Sequence, residues 1–154
     1  MVDSHWEKLV RRYVWHDDRT PYFTRVARLT RRQAEYELSG YAILVGVLFG
    51  AVSVVSLSTT LPHGDTALVS IYAFTVCCAA ILLATTRHPW AAVWCASAPL
   101  AALAYFALYG FHPNLETTEQ AILVVVMLVW LVYARRVVCV ANAWPGLPGR
   151  IEPD

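Results

Sequence analysis

Residues 38–64 read LSGYAILVGVLFGAVSVVSLSTTLPHG and contain no acidic residue, lysine or arginine. Three further uncharged runs follow, at 66–86, 88–115 and 120–134. A helix needs about 20 mostly apolar residues to cross roughly 30 Å of hydrocarbon. Backbone in lipid must also satisfy its own hydrogen bonds, which favours helices. We therefore predict an all-α integral membrane protein with spans at about 38–61, 66–86, 90–111 and 118–141.

The composition agrees with this class. Of the 154 residues, 58% are hydrophobic and only 15% are charged, whereas soluble chains contain about 25% charged residues. The connections between the predicted spans are short, and short connections make neighbouring helices antiparallel. The sequence thus predicts an up-down four-helix bundle over 38–142. We also predict that residues 1–37 form a cytoplasmic helical extension and that residues 143–154 form a cytoplasmic tail containing proline and glycine.

The positions of the basic residues predict the orientation. Eight of the twelve lysines and arginines precede residue 38. The others are Arg87, Arg135, Arg136 and Arg150. In an up-down bundle all twelve fall on one side, and the positive-inside rule makes that side, with both termini, cytoplasmic. Arginine also outnumbers lysine eleven to one, which is typical of GC-rich bacterial genomes, so we predict a multi-pass protein of the bacterial inner membrane.

Small residues recur at helical spacing in the first two spans. In the first span they include Ala42, Gly46, Gly50 and Ser53, and in the second they run from Ala67 to Ala84. Small side chains let membrane helices approach closely. The sequence leaves two interpretations of these small-residue stripes open. The stripes pack against each other within one chain, or the Gly46–Gly50 pair joins copies into a homo-oligomer.

The third and fourth spans have different features. Pro99 lies near the centre of the third span and should kink it, freeing the carbonyl near Cys95. The fourth span is bulky over 122–133, including Trp130, and we expect it at the periphery against lipid or a partner. Arg135 and Arg136 at its end either snorkel to the interface, which we favour, or pair with acids. Glu35 and Glu37 are the acids in question.

The N-terminal segment combines aromatic residues with arginines, a mixture typical of partner-binding surfaces. A basic cluster beside the first span should also attract anionic lipids. Six acids offset its eight bases, which argues against nucleic-acid binding. The Thr30–Gln33 pair predicts a capping box for the helix entering the first span. The residues expected to contact a partner or lipid are Trp6, Tyr13, Trp15, Arg25, Arg28, Arg31 and Arg32.

Few residues in the sequence are arranged as a cofactor, ion-transport or metal site requires. No cofactor is predicted, because the histidines fall outside the spans, where they could not hold a membrane haem. The first three spans carry no interior acid or base, which weakens coupled transport. Imidazole and carboxylate groups on the outer face suit zinc, but their spacing is not diagnostic. The weak metal candidates are His63, His112 and Glu116.

These observations favour a non-catalytic role over an enzyme. The leading hypothesis is an accessory, assembly or stabilising subunit of a larger bacterial inner-membrane complex, for example an energy-converting complex. The alternative is a small homo-oligomeric transporter or lipid-binding membrane protein. Membrane lipids are partners in both cases.

Overall fold

The computed structural model describes residues 25–57 and 67–148, and in these ranges the regular structure is helical throughout, with no strand. Four stretches are long and apolar enough to cross a membrane, as the sequence predicts. The third stretch consists of two consecutive helices. The helices are α1 (Arg31–Val55), α2 (Ala67–Thr86), α3 (Pro89–Ala96), α4 (Ala98–Tyr109) and α5 (Thr117–Ala143).

Reciprocal capping fixes where α1 and α5 begin. Thr30 Oγ1 accepts from the Gln33 N–H at 3.3 Å, and Gln33 Oε1 accepts from the Thr30 N–H at 3.0 Å. This is the predicted capping box, and it satisfies two donors that a helix start would leave unpaired. Glu116 and Glu119 form the same arrangement before α5. The predicted end of the first span, residue 61, lies outside the described residues.

The third stretch breaks at Ser97, two residues before Pro99. Proline has no N–H, so it cannot donate to the carbonyl four residues earlier. That carbonyl belongs to Cys95, and the Tyr41 hydroxyl donates to it at 3.4 Å. The break expected from Pro99 is therefore present, and a side chain of α1 uses the freed acceptor.

The most extensive helix contact joins α1 and α2, which run antiparallel. Contacts from Arg87 to Glu35 and from Ser70 to Ser53 mark the two ends of this contact. The core consists mainly of alanine, valine and leucine between α1, α2, α3 and the C-terminal part of α5. Small side chains there allow the close helix approach that stabilises helix pairs in lipid.

Candidate functional site

The small-residue face of α1 packs against α2 of the same chain. An ideal Cβ on Gly46 would stand 3.5 Å from the Ala80 Cβ, and one on Gly50 would stand 3.7 Å from the Cys77 Sγ. Ala42 on the same face is 3% exposed. The structure therefore uses the two glycines inside the chain, which was the first of the two uses left open by the sequence.

Two serines extend this contact. Ser70 Oγ donates to the Ser53 carbonyl at 2.9 Å, and Ser53 Oγ donates to the Ser70 carbonyl at 3.3 Å. The pair satisfies both hydroxyl donors across the helix interface. In a hydrocarbon environment such hydrogen bonds stabilise helix association by about 1 kcal/mol.

A buried ion pair joins the start of α1 to α5. Arg136 Nε lies 2.6 Å from Glu37 Oε1, and a second guanidinium nitrogen lies 3.1 Å from Glu37 Oε2. The Glu37 side chain is 0% exposed. This two-pronged geometry suits arginine and carboxylate groups. Arg136 therefore pairs with an acid rather than snorkelling, contrary to the interpretation favoured from the sequence, whereas Arg135 is exposed.

A second, more exposed ion pair joins the other side of α1 to the end of α2. Arg87 lies 2.8 Å from Glu35, whose side chain is 51% exposed, and also donates to Ser39 Oγ at 3.4 Å. The sequence analysis considered Glu35 only as an alternative partner for the arginines of α5. A partner contributed by the α2–α3 turn could not be inferred, because helix rotation decides which arginine each glutamate meets.

Aromatic side chains fill the space next to the buried ion pair. Tyr41 meets Tyr133 edge to face, with ring centroids 5.8 Å apart. Trp130 packs against Phe49 at 6.5 Å, and its buried Nε1 lies beside the Tyr41 hydroxyl. The sequence analysis assigned Trp130 to a partner or lipid contact, and the structure holds the side chain half-buried against the core, with the rest of its surface open. Its Nε1 is buried and makes no hydrogen bond within the described residues, so packing of the ring against Phe49 accounts for the burial.

A hydroxyl bridge links α2 to the break in the third stretch. The Tyr72 hydroxyl lies 2.7 Å from Ser97 Oγ, and Ser97 Oγ donates to the Trp94 carbonyl at 2.7 Å. Burial of polar groups in an apolar core is costly unless they are hydrogen-bonded. This network was missed by the sequence analysis, although Ser97 two residues before Pro99 was a usable signal.

The described arginines, which the sequence analysis assigned to one side of the membrane, lie at one end of the helices. We call this end the arginine-rich end (Arg25–Arg32, Arg87, Arg135 and Arg136). Arg31 stacks over the Trp144 ring at 5.1 Å, and its N–H donates to the Pro148 carbonyl at 3.1 Å. Arg32 lies 5.8 Å above the Tyr36 ring. The C-terminal segment is thereby held against the start of α1. Trp6, Tyr13 and Trp15 lie outside the described residues.

Two of the three weak metal candidates, His112 and Glu116, lie in the described part of the chain, where each makes local hydrogen bonds. His112 Nδ1 accepts from the Asn114 N–H at 3.3 Å, and Glu116 caps α5. His63 lies outside the described residues. Across 25–57 and 67–148, no group of three histidine, cysteine or acidic residues could hold a metal ion.

The apolar surface of α5 is the most open of the four stretches. Only 11% of its most apolar 18-residue segment is buried inside the protein, against 28–33% of the corresponding segments of the other three stretches. Its buried residues, Ala134, Val137, Val140 and Ala141, all lie after residue 133. The part of α5 before these residues carries exposed apolar side chains three or four positions apart. We call this face the α5 flank. It consists of Ile122, Val125, Val129 and Val132, which are 58–73% exposed.

Comparisons with protein-family models, curated proteins and solved structures gave no match to this chain. The function of the chain is therefore inferred from its own geometry. That geometry consists of an internally paired interior, an arginine-rich end and the α5 flank.

Proposed function

We propose that this protein is a non-catalytic accessory, assembly or stabilising subunit of a larger bacterial inner-membrane complex. In this proposal the four spans form an up-down bundle with both termini and the arginine-rich end in the cytoplasm. The observation that carries the proposal is the α5 flank, a continuous apolar face on the least buried span. Large apolar faces with few internal contacts are where membrane proteins meet lipid or other subunits.

The described interior supports a structural role. Its charged groups, Glu35, Glu37, Arg87 and Arg136, are paired with one another near the arginine-rich end. Proton and ion pathways use ionisable groups placed within the spans. Here the central stretches of α1 to α4 carry only neutral side chains. Such an interior suits a subunit that holds other proteins in place.

The alternative of a homo-oligomer built on Gly46 and Gly50 has less support. Both glycines already face α2, where an added Cβ would stand within ordinary contact distance of Ala80 or Cys77. A second copy would need the first to open its most extensive helix contact. We therefore place the partner-binding surface on α5.

Photo-crosslinking in intact cells tests this assignment. A photoreactive residue replaces Val129 on the α5 flank or, as a matched control, Val47 on α1. Both valines are well exposed, at 64% and 70%. We expect a discrete crosslinked protein band from position 129 and only lipid adducts from position 47. Lipid adducts alone from both positions would contradict a protein partner at the α5 flank.

A further inference from the structure

An open groove runs along the outside of the molecule between α2 and α3, with a volume of about 650 Å³. At its inner end, Trp94 Nε1 donates to Thr75 Oγ1 at 3.3 Å and links the two helices. Thr86 and His88 lie at its mouth, at the arginine-rich end. The groove thus opens towards the predicted membrane interface and extends into the predicted membrane interior.

The walls of the groove are apolar although two threonines contribute to them. Thr86 Oγ1 donates to the Leu82 carbonyl at 2.7 Å, and Thr75 Oγ1 donates to the Tyr72 carbonyl at 2.8 Å. Both hydroxyl protons are therefore used within α2. Apolar side chains such as Leu82 and Trp94 make up most of the remaining surface. An occupant must be apolar along most of its length.

The length of the groove matches an acyl chain in one leaflet. The rise from Thr75 to Thr86 is about 16 Å at about 1.5 Å per residue, and one leaflet contributes about 15 Å of hydrocarbon. The groove is open on its outer side, so an acyl chain of the surrounding lipid reaches it directly.

The mouth carries donors suited to a phosphate. His88 Nδ1 accepts from the Trp90 N–H at 3.3 Å, which leaves Nε2 of this exposed side chain as the ring nitrogen that can donate. Trp90 is 76% exposed and lies where tryptophan indoles reach the headgroup level. The described arginines are all at this end, which favours an anionic headgroup.

We infer that the α2–α3 groove binds one anionic phospholipid, with an acyl chain along Leu82 and Trp94 and its phosphate at His88 and Trp90. The bound lipid covers apolar surface that neither helix buries against the other. This inference goes beyond the proposed subunit role and does not depend on which complex the chain joins.

Native mass spectrometry of the full chain tests the site. The protein is purified in mild detergent and supplied with phosphatidylglycerol or with phosphatidylcholine of the same acyl chains. Leu82→Trp fills the groove. Ile81→Trp is the matched control, because Ile81 is the adjacent residue, is similarly exposed and lies outside the groove. We expect one phosphatidylglycerol per chain for wild type and Ile81→Trp, and roughly fivefold lower occupancy for Leu82→Trp.

A second variant tests the headgroup contact independently of the groove walls. His88→Ala should lower phosphatidylglycerol occupancy by roughly threefold and leave the weaker phosphatidylcholine occupancy unchanged. Equal occupancy in Leu82→Trp and Ile81→Trp would overturn the site. Equal binding of the two lipids by wild type, or an unaffected His88→Ala, would overturn the anionic specificity.

Discussion

Two glutamates at the start of α1 form ion pairs in different surroundings. Glu37 is fully buried against Arg136 on α5, whereas Glu35 is half-exposed next to Arg87. A buried carboxylate depends on its partner, because removing the partner leaves a desolvated charge. An exposed pair is screened and contributes little. The two glutamates therefore contribute different amounts to the free energy of unfolding.

Neutralising the two glutamates should separate these contributions. We expect Glu37→Gln to lower the free energy of unfolding by about 2–3 kcal/mol, because a fully buried carboxylate loses its charge-assisted hydrogen bonds to Arg136. The matched control Glu35→Gln should cost less than about 1 kcal/mol, because the Glu35 side chain is half-exposed and Arg87 keeps its hydrogen bond to Ser39. Unfolding in mixed micelles of increasing denaturing detergent measures both. Equal losses for the two variants would contradict the assigned roles.

Replacing both members of the buried pair provides a further check. Glu37→Met combined with Arg136→Met should be less destabilising than Glu37→Met alone, since no uncompensated charge remains. Additive losses in the same unfolding assay would mean that the two side chains stabilise the fold independently.

Side-chain size at Gly46 has a sharp limit. A methyl group there would stand 3.5 Å from the Ala80 Cβ, an ordinary contact distance. We expect Gly46→Ala to change the free energy of unfolding by less than about 1 kcal/mol, whereas Gly46→Ile should destabilise by about 1–3 kcal/mol through overpacking. Thermal unfolding in detergent checks both variants. A tolerated isoleucine would contradict the packing of α1 on α2.

At the scale of elements, the break between α3 and α4 is tied to two neighbouring helices. Tyr41 of α1 donates to the Cys95 carbonyl, and Tyr72 of α2 bonds Ser97 Oγ. A helix break exposes backbone groups that need partners in an apolar environment. The hydroxyls of the two tyrosines lie beside the break and stabilise a bend that Pro99 initiates.

Removing the Tyr72–Ser97 bridge tests how far it stabilises the bend. Tyr72→Phe and Ser97→Ala should each cost about 1 kcal/mol of unfolding free energy, and the double variant little more than either, because both remove the same bond. Thr85→Val is the control, since Thr85 bonds only carbonyls of its own helix. Fully additive losses in a detergent unfolding assay would show that the bridge is not formed.

At the scale of the molecule, the described arginines gather at one end while Glu116 and Glu119 lie at the other. This asymmetry is the basis for placing the arginine-rich end in the cytoplasm. Single cysteines in a cysteine-free variant test it. A membrane-impermeant maleimide should label Asn114→Cys in intact cells and Gly146→Cys only after lysis. The reverse pattern would invert the proposed topology.

The sequence predicts the helices well and their lateral contacts less well. Uncharged runs and Pro99 locate the four stretches and the break, because length and backbone hydrogen bonding are local properties. The pairing of Arg136 with Glu37, where snorkelling was favoured, and the pairing of Glu35 with Arg87 were not predicted. Both depend on how helices rotate about their axes, which periodicity does not determine for spans that are apolar on every side.

Of the two candidate surfaces, the sequence predicts the α5 flank but not the α2–α3 groove. The bulky composition of 122–133 predicts the open α5 flank, since a span without small residues cannot approach its neighbours closely. The α2–α3 groove was not predicted, because it arises from the packing of Trp94 against Thr75 across two helices. Contacts between distant residues leave no periodic signal in the chain.

Affinity capture decides whether this chain is a subunit of a larger membrane complex. The full chain carries a C-terminal tag, is extracted from its native membrane in mild detergent, and is analysed by mass spectrometry with quantified stoichiometry. We predict a fixed set of larger membrane proteins with wild type and Val47→Trp, and their loss with Val129→Trp on the α5 flank. Recovery of the wild-type chain alone, as a monomer or homo-oligomer, would contradict the subunit role.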